Sequence, residues 1–369
     1  MIKFRYKSIF LYASLQFCGN IEEYFVRNTE KLLVFILMPR VKNKNHFLRI
    51  YNKGKLVEEK KIQLPENIFL HYFFWHLTYL KLIYTYFSKK DNVVVITSHP
   101  LTLFGMSIQK LLRGVRFVLW TEYFPPISLT LRLFNDLKKF YHARVDYACY
   151  FGDRVNKLTN GKILNTERRR TILWGVKPRK IQRDFEKTQY SLLFVGLVKD
   201  SQGLELLFEF LRLHKKYSLK IIGVTHGNLY EHYQKMIKDL GISKQVYYPN
   251  RFFSTKDLDE ISKTCFVGTA PYVTGKTNGT YFVDPGKVKA YTEMGLPVIM
   301  TITSAVAPYI KKYKAGELIK SDVHSFSQAI LKIKRFYKMY LLGVKKFNDY
   351  FYYETYYKKK FDFLERQTN

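Results

Sequence analysis

The sequence of 369 residues contains little cysteine and comparatively little negative charge. Its three cysteines, Cys18, Cys149 and Cys265, lie far apart, and none forms the CxxC spacing of a zinc site. A disulfide framework is therefore excluded, and a reducing compartment is expected. No fixed short period recurs, which excludes solenoid and propeller arrays. The first apolar run is too short for a secretory signal, so we expect a cytoplasmic protein.

Positive charge greatly exceeds negative charge. Sixty-two Lys and Arg residues against 30 Asp and Glu residues give a formal net charge of +32. Such an excess favours phosphate-bearing partners, which include nucleic acid, an anionic membrane surface and a nucleotide cosubstrate. An A+T-biased coding sequence would also produce this wealth of Lys, Tyr and Phe. Because the basic residues are spread over the chain, no specific nucleic-acid partner is expected.

Strand-like and helix-like segments alternate twice along the chain. This alternation predicts parallel sheets with helices on both faces. A hairpin with the turn Asn52-Lys53-Gly54 interrupts the first series. We therefore predict an α/β protein with two Rossmann-like domains, residues 1–176 and 190–325, joined by a charged linker over 177–189. C-terminal helices are predicted over 326–369, with a break at Gly343, and a return of these helices to the first domain is one arrangement.

The most apolar stretch covers residues 68–87. At ~100° per residue, His71, Thr78, Lys81, Thr85 and Lys89 fall within roughly 80° of one another, which predicts an amphipathic helix. A buried helix of the first domain is the favoured interpretation. A helix on the membrane surface and a transmembrane span are the alternatives.

A predicted loop between a strand and a helix begins and ends with glycine, in the sequence Gly196-Leu-Val-Lys-Asp-Ser-Gln-Gly203. Free backbone N–H groups at the positive end of a helix dipole favour a phosphate group. A tight turn without a ligand is the alternative for Gly196 and Gly203.

A second motif surrounds a predicted helix that starts at Asp284-Pro285 and ends at Gly295. Aspartate before proline is typical of a helix start, with the carboxylate as cap. Lys287 and Glu293 lie on this helix at the carboxyl edge of the second sheet, where open α/β sheets bind ligands. We predict that Lys287 contacts a diphosphate and that Glu293 accepts hydrogen bonds from sugar or ribose hydroxyls.

With these motifs the chain resembles the GT-B glycosyltransferases, specifically the family-4-like retaining enzymes that use nucleotide sugars. The resemblance runs best from about Thr171 to Leu318, through Val195-Gly196, Gln202-Gly203-Leu-Glu-Leu-Leu207, Ala270-Pro-Tyr272 and Gly295-Leu-Pro-Val-Ile299. It implies two domains facing across a cleft, a nucleotide-sugar cosubstrate, and neither cofactor nor metal. The donor-binding residues that it implies are Gly196, Lys199, Gln202, Gly203, Tyr272, Asp284, Lys287 and Glu293.

The sequence departs from that family at four positions. Relatives commonly carry Arg directly after the first glycine and Lys directly before the second, where this chain has Leu197 and Gln202. Two family glutamates fall on Phe282 and Ala290. Nearby acids and lysines could substitute in a divergent enzyme. The alternative is a catalytically inactive GT-B scaffold that binds a glycan, a nucleotide sugar or a partner enzyme.

In the first domain the candidate catalytic residues are His99 and Glu122, which follow two predicted strands, and the resemblance implies that His99 faces the cleft. Gly19 and Asn20 follow the first predicted strand, where they are candidates for contact with the acceptor. A loop hydrogen bond is the structural alternative for His99, and a helix cap for Glu122. We predict transfer of a sugar from a nucleotide sugar to an acceptor hydroxyl, in cell-surface polysaccharide or glycolipid assembly. A lipid-linked acceptor would place the protein at the cytoplasmic face of the membrane.

Overall fold

The computed structural model describes residues 4–13, 19–36, 46–65, 67–123, 125, 128–225, 227–275, 279–282 and 284–365. Cys18 lies outside these ranges. The chain divides into two compact units, Met1–Gly175 with Tyr353–Asn369, and Val176–Tyr352. Each unit carries a largely or fully parallel sheet covered by helices, so the predicted α/β class with two Rossmann-like units and C-terminal helices is confirmed.

The first unit is built on an eight-stranded sheet in the order β4-β3-β2-β1-β5-β6-β7-β8. Its strands are β1 (Tyr6–Ala13), β2 (Thr29–Ile36), β3 (His46–Asn52), β4 (Lys55–Ile62), β5 (Val94–Thr97), β6 (Arg116–Thr121), β7 (Tyr147–Tyr150) and β8 (Arg169–Thr171). Its helices are α1 (Ile21–Asn28), α2 (Ile68–Tyr86), α3 (Met106–Arg113), α4 (Leu129–His142), α5 (Asp153–Asn160), α14 (Tyr353–Lys360) and α15 (Asp362–Glu365). The antiparallel pairing of β3 with β4 confirms the predicted hairpin.

Helix α2 confirms the predicted helix, but the side that packs on the sheet is not the one that the polar stripe predicts. His71, which the sequence assigned to the polar stripe, is buried, with Nδ1 3.0 Å from the carbonyl oxygen of Pro65. The rings of Trp75 and Tyr79 pack on β1, each with its centroid 4.5 Å from that of Tyr12. Because α2 is apolar on nearly all sides, the few polar residues could not determine which face the sheet buries. Across the described ranges, no helix combines the length and the hydropathy that a bilayer crossing needs.

The second unit carries a fully parallel six-stranded sheet in the order β11-β10-β9-β12-β13-β14. Its strands are β9 (Ser191–Val195), β10 (Ser218–Ile222), β11 (Val246–Tyr247), β12 (Val267–Ala270), β13 (Val298–Thr301) and β14 (Gly316–Ile319). Its helices are α6 (Phe185–Thr188), α7 (Leu204–Leu213), α8 (Leu229–Asp239), α9 (Thr255–Ser262), α10 (Gly286–Glu293), α11 (Ala307–Tyr313), α12 (Val323–Arg335) and α13 (Tyr337–Phe351). Helix α6 lies within the segment that the sequence assigned to a linker.

The predicted helix break at Gly343 is wrong. Gly343 lies inside α13, and the chain leaves helical geometry at Phe336 and Tyr352 instead. A Cβ atom at position 343 would overlap the backbone carbonyl of Lys314, just after α11. The glycine is therefore explained by the close approach of two chain segments, which local sequence does not reveal.

Candidate functional site

The topology of the second sheet defines where a ligand would bind. From β9 the chain proceeds in one direction through β10 to β11, and β12 then lies on the other side of β9. This reversal is a topological switch point, and open α/β sheets bind ligands outside the carboxyl ends of the strands there. The first motif begins directly after β9, at Gly196. Tyr272 comes shortly after β12, and α10, the helix of the second motif, is the next α-helix along the chain.

Both glycines of the first motif have a steric explanation. Gly196 and Gly203 have φ angles of 109° and 69°, a region that L side chains rarely adopt. A Cβ atom on Gly203 would also overlap the carbonyl oxygen of Pro271, which follows β12. The loop passes through a 3₁₀ turn, Asp200–Gln202, and then enters α7. The turn thus holds the start of α7 closely against the segment that carries Tyr272.

Lys287 lies in the first turn of α10 and reaches into this site. Its ammonium group donates a hydrogen bond to the side-chain oxygen of Gln202 and lies 3.8 Å from the ring centroid of Phe194. The ring of Tyr272 is 5.3 Å away. Burial, and then the charge of exposed Lys199, hold the pKa of Lys287 well below its usual value.

No carboxylate within the described ranges forms an ion pair with Lys287. A lysine among apolar rings that has only a neutral hydrogen-bond partner is poorly stabilised as a cation. An anion bound at this place would supply the missing negative charge. The structure therefore brings together Gly196, Gln202, Gly203, Tyr272 and Lys287.

Sequence reasoning missed Phe194, the residue beneath the ammonium group of Lys287. Phe194 is fully buried in β9 and reads as an ordinary core residue. Its position two residues before Gly196 is the only signal that could have found it. The contact between Phe194 and Lys287 depends on how α10 packs against β9, which only the tertiary structure reveals.

The predicted cap of α10 is wrong. The helix begins at Gly286 after Pro285, which acts as the N-terminal flanking residue, and no side chain caps its N–H groups. Asp284 instead turns inward, and its carboxylate lies 3.6 Å from the ammonium group of Lys289, both side chains being buried. Lys289 also lies 3.2 Å from the ring centroid of Phe351. A buried carboxylate is stabilised more by a cation than by a helix terminus at the surface, which explains the difference.

Glu293 is not brought to Lys287. It is the last residue of α10, about 9 Å along the helix axis from Lys287 at 1.5 Å per residue. Its carboxylate accepts a hydrogen bond of 2.8 Å from the backbone N–H of Lys177, and its carbonyl oxygen accepts one of 2.7 Å from Arg179. The observed contacts of Glu293 therefore fix the segment that enters the second unit.

His99 lies directly after β5, as predicted, inside an aromatic cluster. Its ring stacks on Tyr72 at 5.4 Å, and its Nδ1 accepts a hydrogen bond of 3.3 Å from the backbone N–H of Leu101. Burial, and then the charge of Lys138, lower the pKa of His99 to about 3. The imidazole is therefore neutral at physiological pH, and its Nδ1 acts as an acceptor.

Glu122 follows β6, the neighbour of β5, and Lys138 of α4 lies beside it. Lys138 donates a hydrogen bond of 2.9 Å to the backbone carbonyl of Glu122. Burial raises the pKa of Glu122, while the charge of Lys138 opposes that shift. The sequence did not single out Lys138. The spacing of basic residues along α4 was a signal, but it could not show which of them turns towards the sheet.

Gly19 and Asn20 lie before α1 and pack within the first unit. The carbonyl oxygen of Gly19 accepts a hydrogen bond of 2.8 Å from the hydroxyl of Tyr357. A Cβ atom there would lie within 3 Å of Trp174 and Gly175. Asn20 has a left-handed backbone with φ 59°. Close packing thus accounts for the glycine, and contact with an acceptor stays a prediction.

Comparison with known proteins agrees with this geometry. Residues 189–335 match the family described as "Glycosyl transferases group 1". This segment contains both motifs and the switch point. No curated protein sequence matches the chain significantly.

Solved structures show the same fold at low identity. Sucrose-phosphate synthase from Thermosynechococcus elongatus is 13% identical, with a TM-score of 0.71 over 98% of each chain. The HepE protein of Anabaena in complex with UDP is 11% identical, with a TM-score of 0.63 over 98% of this chain and 100% of that one. The lipopolysaccharide outer core galactosyltransferase WaaB is 14% identical, with a TM-score of 0.64 over 97% and 99%.

These comparisons show the fold of the chain. The chain has the GT-B fold of the glycosyltransferases and diverges strongly in sequence from each of these three structures. The match to the group 1 glycosyl transferases lies within the second unit, over residues 189–335.

Proposed function

We propose that the protein transfers a sugar from a nucleoside diphosphate sugar to an acceptor hydroxyl. One observation carries the proposal, the Lys287 ammonium group held by Gln202 at the switch point between β9 and β12, with no carboxylate partner among the described residues. The family match over residues 189–335 supports it independently. The similar structure of Anabaena HepE is a complex with UDP, which supports a uridine nucleotide as the first donor to test.

The donor diphosphate would lie against Lys287 and the N-termini of α7 and α10. When the bond between the anomeric carbon and the diphosphate oxygen breaks, the leaving nucleoside diphosphate gains negative charge. The ammonium group of Lys287 would stabilise this developing negative charge. A group that is already in place in a site without water does so without reorganisation. The acceptor oxygen bonds to the anomeric carbon, and its proton passes to the departing diphosphate.

The remaining predictions belong to the same proposal. Lys199 is exposed within the Gly196–Gly203 loop and would contact the diphosphate from the solvent side. His99, Glu122, Gly19 and Asn20 would serve the acceptor in the first unit. Retention at the anomeric carbon, independence of metal ions and a role in cell-surface polysaccharide or glycolipid assembly follow from the resemblance. The name of the similar galactosyltransferase WaaB, which concerns lipopolysaccharide, supports that role.

Thermal stabilisation by nucleotide sugars tests the proposal. A ligand that binds only the folded chain raises its Tm, and more so the tighter it binds. We expect one UDP-, ADP- or GDP-sugar to raise Tm, and to be converted to its nucleoside diphosphate when an acceptor glycan is supplied. The absence of stabilisation by any nucleotide sugar at millimolar concentration would contradict the proposal.

The inactive scaffold is the second candidate, because Phe282 and Ala290 occupy the positions of two family glutamates. Phe282 is buried, so this position offers no polar group to a ligand. Binding of a nucleotide sugar without release of its nucleoside diphosphate, over a panel of acceptors, would favour the scaffold. Turnover would exclude it.

A further inference from the structure

Helix α2 presents large apolar side chains to solvent. Its buried side carries Trp75 and Tyr79, which pack on β1. On the outer side Phe69, Phe73 and Leu77 follow one another at intervals of four residues, so they form one row. Phe69 is 82% exposed and the other two are also exposed. A helix on the surface of a soluble domain normally places polar residues in such a row.

The neighbouring helices extend the same apolar surface. In α3, Leu111 is 74% exposed, and in α4, Leu129 is 73% exposed. Both helices lie beside α2: the hydroxyl of Tyr79 donates a hydrogen bond of 2.7 Å to Gln109 of α3, and Tyr72 lies 6.5 Å from the ring of Phe134 in α4. Both helices are therefore neighbours of α2 in the first unit, and we call the exposed sides of the three helices the α2–α4 surface. Its main exposed apolar residues are Phe69, Phe73, Leu77, Ile108, Leu111 and Leu129.

The charges around this surface are mostly positive. Over residues 67–113 and 129–142, which include the three helices, the chain has eight basic residues and two acids, Asp91 and the exposed Asp136. Asp91 is engaged locally, since its carboxylate accepts hydrogen bonds from the backbone and hydroxyl of Ser88. Lys81 on α2 and Arg132 on α4 are both exposed. An apolar surface with basic residues along it complements an anionic layer that is apolar underneath.

We propose that the α2–α4 surface docks on an anionic lipid bilayer, with Phe69, Phe73 and Leu111 inserted among the lipid headgroups and the basic side chains on lipid phosphates. Exposed apolar surface of this extent marks an interaction site. A second copy of the chain fits less well, because a two-fold contact would place the same positive charges against each other. Docking would bring the first unit to an acceptor carried on lipid, so this proposal deepens the proposed function and rests on it.

Vesicle cosedimentation tests the surface directly. Full-length protein is mixed with vesicles of phosphatidylglycerol and phosphatidylcholine, or of phosphatidylcholine alone, at low salt. We expect strong binding to the anionic vesicles, weak binding to the neutral ones, and release by high salt, since exposed charges are screened. Failure to bind the anionic vesicles at low salt would overturn the proposal.

A matched pair of triple variants locates the contact. The test variant is Phe69→Ser, Phe73→Ser and Leu111→Ser, and the control variant is Phe252→Ser, Ile302→Ser and Leu342→Ser, which removes three exposed apolar residues of the second unit. We expect at least a tenfold loss of vesicle binding in the test variant and no change in the control. Because all six side chains are exposed, Tm should change little in either. Equal loss in both variants, or none in the test variant, would contradict the assignment.

Two further readouts separate the alternatives. Charge reversal by Lys81→Glu and Arg132→Glu should lower binding to anionic vesicles while leaving α2 folded. If size-exclusion chromatography with light scattering instead shows a dimer that the test variant abolishes, the surface is an interface between copies and the lipid proposal fails. Affinity for UDP, measured without vesicles, reports on the proposed function alone, so failure of one proposal is distinguishable from failure of the other.

Discussion

The ammonium group of Lys287 donates a hydrogen bond to the side-chain oxygen of Gln202, and this contact joins the first turn of α10 to the loop before α7. Both residues were candidates for donor binding from the sequence. In the family-4-like enzymes that the sequence resembles, the position of Gln202 commonly carries a lysine. Here the neutral amide accepts a hydrogen bond from a lysine of the other motif, so the positive charge is supplied from α10.

Replacement of Lys287 should weaken nucleotide binding. Lys287→Met keeps much of the side-chain volume over Phe194 but removes the charge and its hydrogen bond. We expect the Kd for UDP to rise by roughly 10- to 150-fold, the equivalent of about 1.5–3 kcal/mol for a hydrogen bond to a charged group. Isothermal titration calorimetry measures the change. Lys238→Met, at an exposed position on α8, is the control, and equal affinities of the two variants would remove Lys287 from the site.

Nucleotide binding should also take up protons. Burial holds the pKa of Lys287 well below its usual value in the free protein, and a bound diphosphate would raise it. The affinity should therefore fall as pH rises through the interval between the lowered pKa of Lys287 in the free protein and its higher pKa in the complex, because a proton must then be supplied for binding. Calorimetry in two buffers of different ionisation enthalpy counts the protons. Lys287→Met should show neither uptake nor this pH dependence, and uptake unchanged in that variant would contradict the assignment.

Gly203 should tolerate no side chain. Gly203→Ala would place a Cβ atom against the carbonyl oxygen of Pro271 in a residue with positive φ. Gly241 has a similar φ of 63° but open space around its Cα, so Gly241→Ala measures the backbone strain alone, about 1–2 kcal/mol. We expect Gly203→Ala to cost at least about 2 kcal/mol more, since overpacking against rigid backbone adds to the strain. Urea unfolding compares the two, and equal losses would show that the loop can move away.

Substitutions of Asp284 and Lys289 should have non-additive effects on the free energy of unfolding, because the two side chains form an ion pair. Lys289→Met would leave the Asp284 carboxylate buried without its cation, at a cost of about 3–5 kcal/mol. Asp284→Asn in the same chain removes that charge, so the double variant should be more stable than Lys289→Met alone. A double-mutant cycle by urea unfolding yields the interaction energy. Additive losses would mean that the two groups do not stabilise each other.

Much of the fold could be predicted from the sequence because each element has a local signal. The alternation of short apolar runs with helical segments predicted two α/β units, and Asn52-Lys53-Gly54 predicted the hairpin. The local signal failed at Gly343, where the reason for a glycine is the carbonyl of Lys314, far away along the chain. It also failed for the faces of α2, because a helix that is apolar on nearly all sides does not reveal which one the sheet will cover.

The candidate site could be predicted only in part, for a related reason. Gly203 and Lys287 lie at the starts of α7 and α10, the helices that come after β9 and β12 along the chain. Parallel strands bring their carboxyl ends to one edge of the sheet, so the two helix starts meet as a consequence of topology. Asp284 and Glu293 lie in the same motif, yet the structure turns the first towards Lys289 and ties the second to Lys177. Side-chain direction at a helix end depends on what packs beneath it, and the sequence motif does not contain that information.

The most direct test is a crystal structure of the full chain with UDP bound. We predict that phosphate oxygens lie within hydrogen-bond distance of the Lys287 ammonium group and beside the turn at Gly203, at the carboxyl ends of β9 and β12. UDP bound away from Lys287, for example in the groove lined by Glu317, His324 and Arg335, would contradict the assignment of the donor site.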